Sequence, residues 1–360
     1  MRILTSILGA RPQFIKYAPL SSIIQKSKFF TENIIHTGEH YDKNMSSVFF
    51  DQLKLSKPKI NLNINSVSRG EMIGKMIEKI DLEFQKNKPD IVIVFGDTNS
   101  SLAGAIAASS FNCEIIHIEA GLRSFNRLMP EEHNRVLTDH LSSLLFVPSN
   151  ESKLNLLNEG ISENKIYNVG DIMLDTFNAQ KSNILKNESY KKLKIKKNNY
   201  ILATIHRQDS TNNLQNLKSI FDSLNEISLK YLPVILPLHP RTRKKLEFHN
   251  INIDSIKIVD PYPYIEFMSL VANSNFVITD SGGLQKEAYY LGKKTIVLRT
   301  ESEWRELADL NESYVINPIN KKEILNSIEF VINSKTKNKK IYGNGTSAKK
   351  IVKILLEKYG

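Results

Sequence analysis

The chain has 360 residues, 41% hydrophobic and 24% charged, with a formal net charge of +11 and a single cysteine, Cys113. Such a composition describes a globular protein with room for two domains; no apolar run approaches the roughly 18 residues of a membrane span, and one cysteine excludes an internal disulfide framework and fits the reducing cytoplasm. The positive charge gathers in lysine runs at 191–197 and 335–340 that read as solvated loops, so neither nucleic acid nor membrane is expected as a partner, whereas an anionic small substrate suits the charge.

Residues 2–8 form an apolar run with a basic residue at its start, too short for a signal peptide with its cleavage site and read as a buried first strand. Gly9-Ala10-Arg11-Pro12 follows, then helical apolar spacing over 14–25, with Pro12 suited to the first turn. This turn offers a glycine, the Arg11 cation and a helix start, with Lys16 one turn on; a lone glycine is not the dinucleotide fingerprint. A strand at 34–37 ends in Gly38-Glu39-His40. A helix at 71–84 precedes a strand at 90–95, which ends in Gly96-Asp97-Thr98-Asn99 and leads into a small-residue helix at 102–110. The strand at 114–118 ends in Glu119-Ala120-Gly121-Leu122-Arg123, and Met129-Pro130-Glu131-Glu132 opens the next helix, before a strand at 144–147 and a helix at 151–158. Repeated strand, polar turn and helix predict a parallel sheet covered on both faces, with ligands at the carboxyl ends of the strands. Those ends carry Arg11, His40, Asp97 and Glu119, with Glu131 shortly after. Asp97-Thr98 can be explained as a helix cap, but glutamate is a poor cap, and Glu119 is harder to explain that way.

Residues 170–176 read as a crossover and 181–199 as a lysine-rich linker with a surface helix. The pattern then restarts: a strand at 200–205 ending in His206-Arg207, a helix at 214–227, a strand at 234–238 ending in His239-Pro240-Arg241, a strand at 256–259 and a helix at 264–272. The stretch 276–292, FVITDSGGLQKEAYYLG, is the most informative. A buried strand at 276–279 turns through Asp280-Ser281-Gly282-Gly283 into a helix from Leu284, which brings bare N–H groups and a helix N-terminus to one place, as a phosphate or diphosphate requires. Glu287, one turn further in, can accept hydrogen bonds from a ribose diol. A strand at 295–298 and helices at 303–310, 321–332 and 347–359 complete the chain. The expected fold is α/β: two parallel sheets, each covered by helices, with a cleft between them.

There is no metal-ligand spacing, no Walker loop and no nucleophile elbow around Ser281. What remains is a set of carboxylates in one half and a phosphate-type turn with His206, Arg207 and Arg241 in the other. Carboxylates held close together repel, so at least one is expected to keep a proton near neutral pH, giving an acid and a base in one site. Cations beside a diphosphate stabilise it as a leaving group. These parts suit cleavage of a carbon–oxygen bond in a nucleotide-activated sugar, and they do not separate elimination from glycosyl transfer.

The strings GARPQFIK (9–16), HTGEHYD (36–42), GDTNSSLAGA (96–105), HIEAGLRS (117–124), MPEEHNR (129–135), HRQD (206–209), PLHPRTR (237–243) and TDSGGLQKEA (279–288) resemble, in order, those of the non-hydrolysing UDP-N-acetylglucosamine 2-epimerases. The resemblance implies the glycosyltransferase-B architecture, two Rossmann-like doubly wound domains facing a cleft, with an N-terminal domain over 1–170, a UDP-binding domain over 171–346, and a last helix (347–360) returning to the first domain. It implies inversion at C2 of a UDP-linked 2-acetamido sugar, without NAD or metal, in a homodimer. Matching the motifs puts catalytic roles on Asp97, Glu119, Glu131 and His206, and UDP contacts on Arg11, Lys16, His239, Ser281, Gly282, Gly283 and Glu287. Two departures stand out. Glu39-His40-Tyr41 replaces the Gln-His-Arg of members activated by a second substrate molecule, and Ser302-Glu303-Trp304-Arg305-Glu306 replaces Thr-Glu-Arg-Pro-Glu. The second is more like the branch acting on UDP-2,3-diacetamido-2,3-dideoxyglucuronate, whose substrate carboxylate could meet Arg123, Arg127 or Arg305. A retaining glycosyltransferase of the same fold, a hydrolysing epimerase and a non-catalytic UDP-sugar sensor are the alternatives.

Overall fold

Alternating aliphatic residues build the first sheet. In the strand Ile91–Phe95 every residue is buried: Ile91, Ile93 and Phe95 enter one core and Val92 and Val94 the other, as the two-residue period of a strand covered on both faces demands. The computed structural model describes residues 1–39, 55, 58–65, 67–334, 336 and 340–360, apart from the side chain of Arg11. His40, Tyr41 and most of the 335–340 lysine run lie outside the described residues. The chain divides into two compact units, Met1–Thr176 with Lys340–Gly360, and Phe177–Lys339.

In the first unit the strands are β1 (Arg2–Leu8), β2 (Phe30–His36), β3 (Ile60–Asn61), β4 (Ile91–Phe95), β5 (Glu114–Ile118), β6 (Leu144–Val147) and β7 (Ile166–Asn168). They lie parallel in the order β3-β2-β1-β4-β5-β6-β7. The helices between them are α1 (Arg11–Ile24), α2 (Arg69–Lys86), α3 (Asn99–Ser109), α4 (Pro130–Leu141) and α5 (Asn150–Asn158). Helix α3 is nearly all small residues because it lies hard against the sheet: a Cβ on Gly104 would stand 2.9 Å from the Ile7 side chain. The chain leaves through α6 (Ile172–Lys186), where the sequence suggests a crossover and linker.

The second unit begins at Phe177, within α6, and continues with the short α7 (Ser189–Lys192). Its strands are β8 (Ile201–Thr204), β9 (Val234–Pro237), β10 (Lys257–Val259), β11 (Val277–Thr279), β12 (Thr295–Leu298) and β13 (Ser313–Ile316), all parallel, in the order β10-β9-β8-β11-β12-β13. This is the doubly wound order 3-2-1-4-5-6. Its other helices are α8 (Gln208–Asn212), α9 (Leu214–Lys230), α10 (Pro240–Phe248), α11 (Tyr264–Asn273), α12 (Gly282–Tyr290), α13 (Arg305–Asp309) and α14 (Lys321–Ile332). Helix α10 has no counterpart in the sequence reading because it buries only Thr242 and Leu246, four residues apart, and its other side chains are mostly charged.

The last helix, α15 (Ser347–Tyr359), belongs to the first unit, where Ala348, Ile351, Val352 and Leu355 join the same core as Leu20 and Ile24 of α1. Its start is pinned by Asp175, whose carboxylate accepts from the N–H groups of Ser347 (3.0 Å) and Ala348 (2.9 Å).

Candidate active site

In each sheet the strand order reverses at one place, between β1 and β4 and between β8 and β11, and at such switch points the turns after neighbouring strands diverge and leave a crevice. Of the sequence-expected residues, Lys16, Asp97 and Glu119 meet there in the first unit, and His206, Ser281 and Gly282 stand there in the second. In the first unit Gln13, fully buried, ties the two turns: its Oε1 accepts from Gly9 N (2.6 Å) and Ala10 N (3.0 Å), while Nε2 donates to Phe95 O (3.0 Å) and Thr98 Oγ1 (2.9 Å). Lys16, on the next turn of α1, is 5% exposed and pairs with Glu119, whose own exposure is 9%. Both reach over Gly96, where a Cβ would stand 2.9 Å from Lys16 Nζ and 3.3 Å from Glu119 Oε1. Glu119 itself has φ +70°, left-handed for a residue with a side chain, which costs on the order of 1–2 kcal/mol and is held by its neighbours. The N–H groups of Glu119 and Ala120 both donate to Phe146 O, at 3.0 and 3.1 Å.

Asp97, a third exposed, pairs with Arg135 of α4, whose other arm donates to Glu132 Oε2 at 2.6 Å. Burial works to raise the Asp97 pKa, but the Arg135 and Lys16 charges outweigh it and hold the carboxyl below its ordinary value. Asp97 is thus held in its charged form by the cation beside it, and Glu119 has Lys16 as its neighbour. Glu132, 1% exposed, braces the 124–125 loop by accepting from Ser124 N (2.9 Å), Ser124 Oγ (3.0 Å) and Phe125 N (2.9 Å). Glu131, half-buried, sits in the first turn of α4, where the helix dipole favours an anion. Arg123 is not available to a substrate carboxylate. It is 2% exposed, with its guanidinium spent on Glu159 (2.6 and 2.6 Å), Asp139 (2.7 Å) and Leu122 O (2.7 Å). Arg127 and Arg305 are exposed.

In the second unit Asp280, fully buried, is the organising residue. Its Oδ2 accepts from the N–H groups of His206 and Arg207, both at 2.9 Å, and its Oδ1 lies 3.3 Å from His206 Nδ1. The turn after β8 is thus fastened to the turn after β11, and the His206 side chain, 49% exposed, keeps Nε2 as the ring nitrogen not turned on Asp280. Ser281 and Gly282 stand at the N-cap and first position of α12, with Ser281 N donating to Thr279 Oγ1 (2.9 Å). Gly283 follows in the same first turn, and Glu287 lies on the helix, half-buried. A Cβ on Gly282 would come within 2.2 Å of Glu303 Oε1, so this carboxylate lies across the helix start, held from behind by Arg299 Nη1 at 2.8 Å. His239 is exposed and caps α10, accepting from Arg241 N at 3.1 Å. Arg11 opens α1 through its backbone.

Sequence reasoning assigned no role to Gln13, Glu132, Arg135 or Asp280. Asp280 and Arg135 sat in quoted motifs, but only the fold brings them to partners 73 and 38 residues away. Among the described residues no cluster of His, Cys, Asp or Glu could hold a metal, and no helix is long and apolar enough to cross a membrane.

Two doubly wound parallel units, with a phosphate-type turn in one and grouped carboxylates at the switch point of the other, define an α/β enzyme of the glycosyltransferase-B type. A family profile described as UDP-N-acetylglucosamine 2-epimerase matches residues 22–356. A UDP-N-acetylglucosamine 2-epimerase homolog of Methanococcus maripaludis is 46% identical over 365 residues, covering 99% of both chains. The UDP-2,3-diacetamido-2,3-dideoxy-D-glucuronate 2-epimerase of Pseudomonas aeruginosa is 41% identical over 359 residues, again 99% of each. The crystal structure of Methanocaldococcus jannaschii UDP-GlcNAc 2-epimerase in complex with UDP-GlcNAc and UDP superposes with a TM-score of 0.91 at 40% identity, covering 99% of each chain. The chain belongs to the UDP-N-acetylglucosamine 2-epimerase family, whose members are isomerases.

Proposed function

We propose that this protein inverts C2 of a UDP-linked 2-acetamido sugar without hydrolysing it, through elimination and re-addition of UDP. The C2 hydrogen stands beside an amide nitrogen and no carbonyl, so a free carbanion there is too costly. Removing that proton as the C1–O bond breaks avoids it: the C–H electron pair becomes the C1–C2 double bond of a 2-acetamidoglucal, and the C1–O pair leaves on UDP. Re-addition of UDP at C1, with protonation of C2 on its other face, completes the inversion, and no cofactor is consumed. Asp97, Glu119 and Glu131 are the proton carriers. The observation that carries this reading is that each of Asp97 and Glu119 is built into the switch point of the first sheet against a cation, Arg135 and Lys16 respectively, which keeps an acceptor ready. UDP is assigned to the α12 turn: diphosphate on Ser281, Gly282 and Gly283, ribose on Glu287, with His206, Arg11, Lys16 and His239 supporting the leaving group. A glycosyltransferase has no use for the grouped acids.

The structure of a relative bound to UDP-GlcNAc and UDP supports a UDP-sugar substrate. Relatives named for UDP-N-acetylglucosamine and for the diacetamidoglucuronate are similar to this chain at 42% and 41% identity, so both sugars are candidates, with Arg127 or Arg305 to meet a uronate. Under the same reading the enzyme works in the cytoplasm as a homodimer and supplies surface-polysaccharide precursors. Incubation with each UDP-sugar in deuterium oxide tests it. Deuterium should enter at C2 and the manno isomer should form with UDP retained; release of free sugar would indicate a hydrolysing enzyme, and no exchange with either sugar would sink the proposal.

A further inference from the structure

Beneath the carboxylates lies a second layer that touches all the elements carrying them. His117 of β5 and Asp139 of α4 are 0% and 1% exposed. His117 Nδ1 lies 2.7 Å from Asp139 Oδ1, and its Nε2 lies 2.8 Å from the carbonyl oxygen of Gly96, the residue before Asp97. Asp139 Oδ2 accepts from Gly121 N at 3.1 Å, two residues after Glu119, and from Arg123 Nη1 at 2.7 Å. One buried pair therefore joins the Asp97 turn, the Glu119 turn and the helix that Glu131 opens. The Gly96 carbonyl only accepts, so Nε2 donates to it; burial works to raise the Asp139 pKa, but His117 and Arg123 bring it below the ordinary carboxylate value.

We propose that His117 is a positioning residue, a buried ring clamped between Asp139 and the Gly96 carbonyl, that sets the spacing of the Asp97, Glu119 and Glu131 elements and so governs proton transfer at C2 without touching the nucleotide. It rests on the epimerase reading above. The turns it holds include Gly96 (φ +63°), Glu119 (φ +70°) and Gly121 (φ +78°), and of these Glu119 is the left-handed residue with a side chain, which its surroundings must hold. Gln in place of His117 can reach one acceptor and presents its own oxygen to the other; Asn in place of Asp139 removes the charge the ring faces.

The test compares wild type, His117→Gln and Asp139→Asn by C2 deuterium exchange, by calorimetric UDP binding, and by the isotope effect with substrate deuterated at C2. Misplacement by about 1 Å costs on the order of 10²-fold, so kcat should fall at least about thirtyfold in both variants. The UDP Kd should stay within about threefold, because the nucleotide is bound through other groups, and the isotope effect should rise as proton transfer becomes limiting. In the wild-type protein, a His117 ring N–H proton should be visible by NMR and protected from exchange with water, a measurement that stands even where a variant fails to fold. A folded variant with kcat near wild type, kcat and UDP affinity falling together, or a His117 ring proton in free exchange with water would each overturn the proposal. Wild-type protein that exchanges no deuterium would instead overturn the epimerase reading.

Discussion

Glu119 carries two conflicting demands. It must present a carboxylate beside Lys16, and its backbone must turn left-handed to do so, a conformation that glycine would adopt without cost. Substitution can separate the two. Glu119→Gln, →Ala and →Gly all lose the acid, and each should lose C2 exchange by at least about 10²-fold, the scale of a lost acid–base group, while UDP binding persists. Among them the glycine variant should be the more stable: relief of the left-handed strain, less the unfolded-state entropy of glycine, leaves it about 1 kcal/mol above the alanine variant in denaturant unfolding. Alanine as stable as glycine would mean that φ +70° stores nothing. Loss of UDP binding in a folded variant would move Glu119 from proton transfer to nucleotide recognition. Glu119 is also the residue at which local sequence rules failed to supply a bland reading: a poor helix cap at a strand end, it stood out because no capping or turn rule accounts for it.

At the scale of the element, the start of α12 has an acid beside it. Its dipole and first-turn N–H groups favour an anion, and in this structure the Glu303 carboxylate lies against Gly282, braced by Arg299. A diphosphate at the same turn meets a like charge. Glu303→Gln removes it and releases Arg299, so UDP should bind about three- to tenfold more tightly by calorimetry, the scale of one unfavourable contact at a helix terminus. Weaker binding would show that Glu303 recognises the ligand itself. The strand–Ser-Gly-Gly–helix element was legible from its apolar run and glycines, as were β5, β6 and β12, whose predicted ends agree with the observed ones. Less legible were β7 and β13, short strands at sheet edges, and α10, which shows too small an apolar stripe to register as a helix. The ion pairs were illegible for a different reason. Lys16 and Glu119 are 103 residues apart, and local pattern contains no term for a contact that only the sheet order creates.

The whole chain is not two consecutive domains. It crosses between its units twice, near Thr176–Phe177 and Lys339–Lys340, and the first unit is completed by its final segment. Helix α15 seats Ala348, Ile351, Val352 and Leu355 in the core formed by β1, β4 and α1, and Asp175, just before the first crossing, caps it. Burying an Ile, Val or Leu is worth about 1.5–3 kcal/mol, so these three side chains contribute roughly 5–9 kcal/mol, comparable to the ~5–15 kcal/mol that holds a domain folded. A chain ending at residue 346 should therefore lose the first unit. Limited proteolysis should cut within 1–176 while 177–339 resists, and circular dichroism should show partial loss of helix beyond the 13 residues of α15 itself. The effect should be recoverable in part by adding the 347–360 peptide in trans, since its apolar face has one complementary groove to fill. Unchanged protection of 1–176 in the shortened chain would mean that the first sheet closes its own core and that α15 is an accessory rather than a wall of the fold.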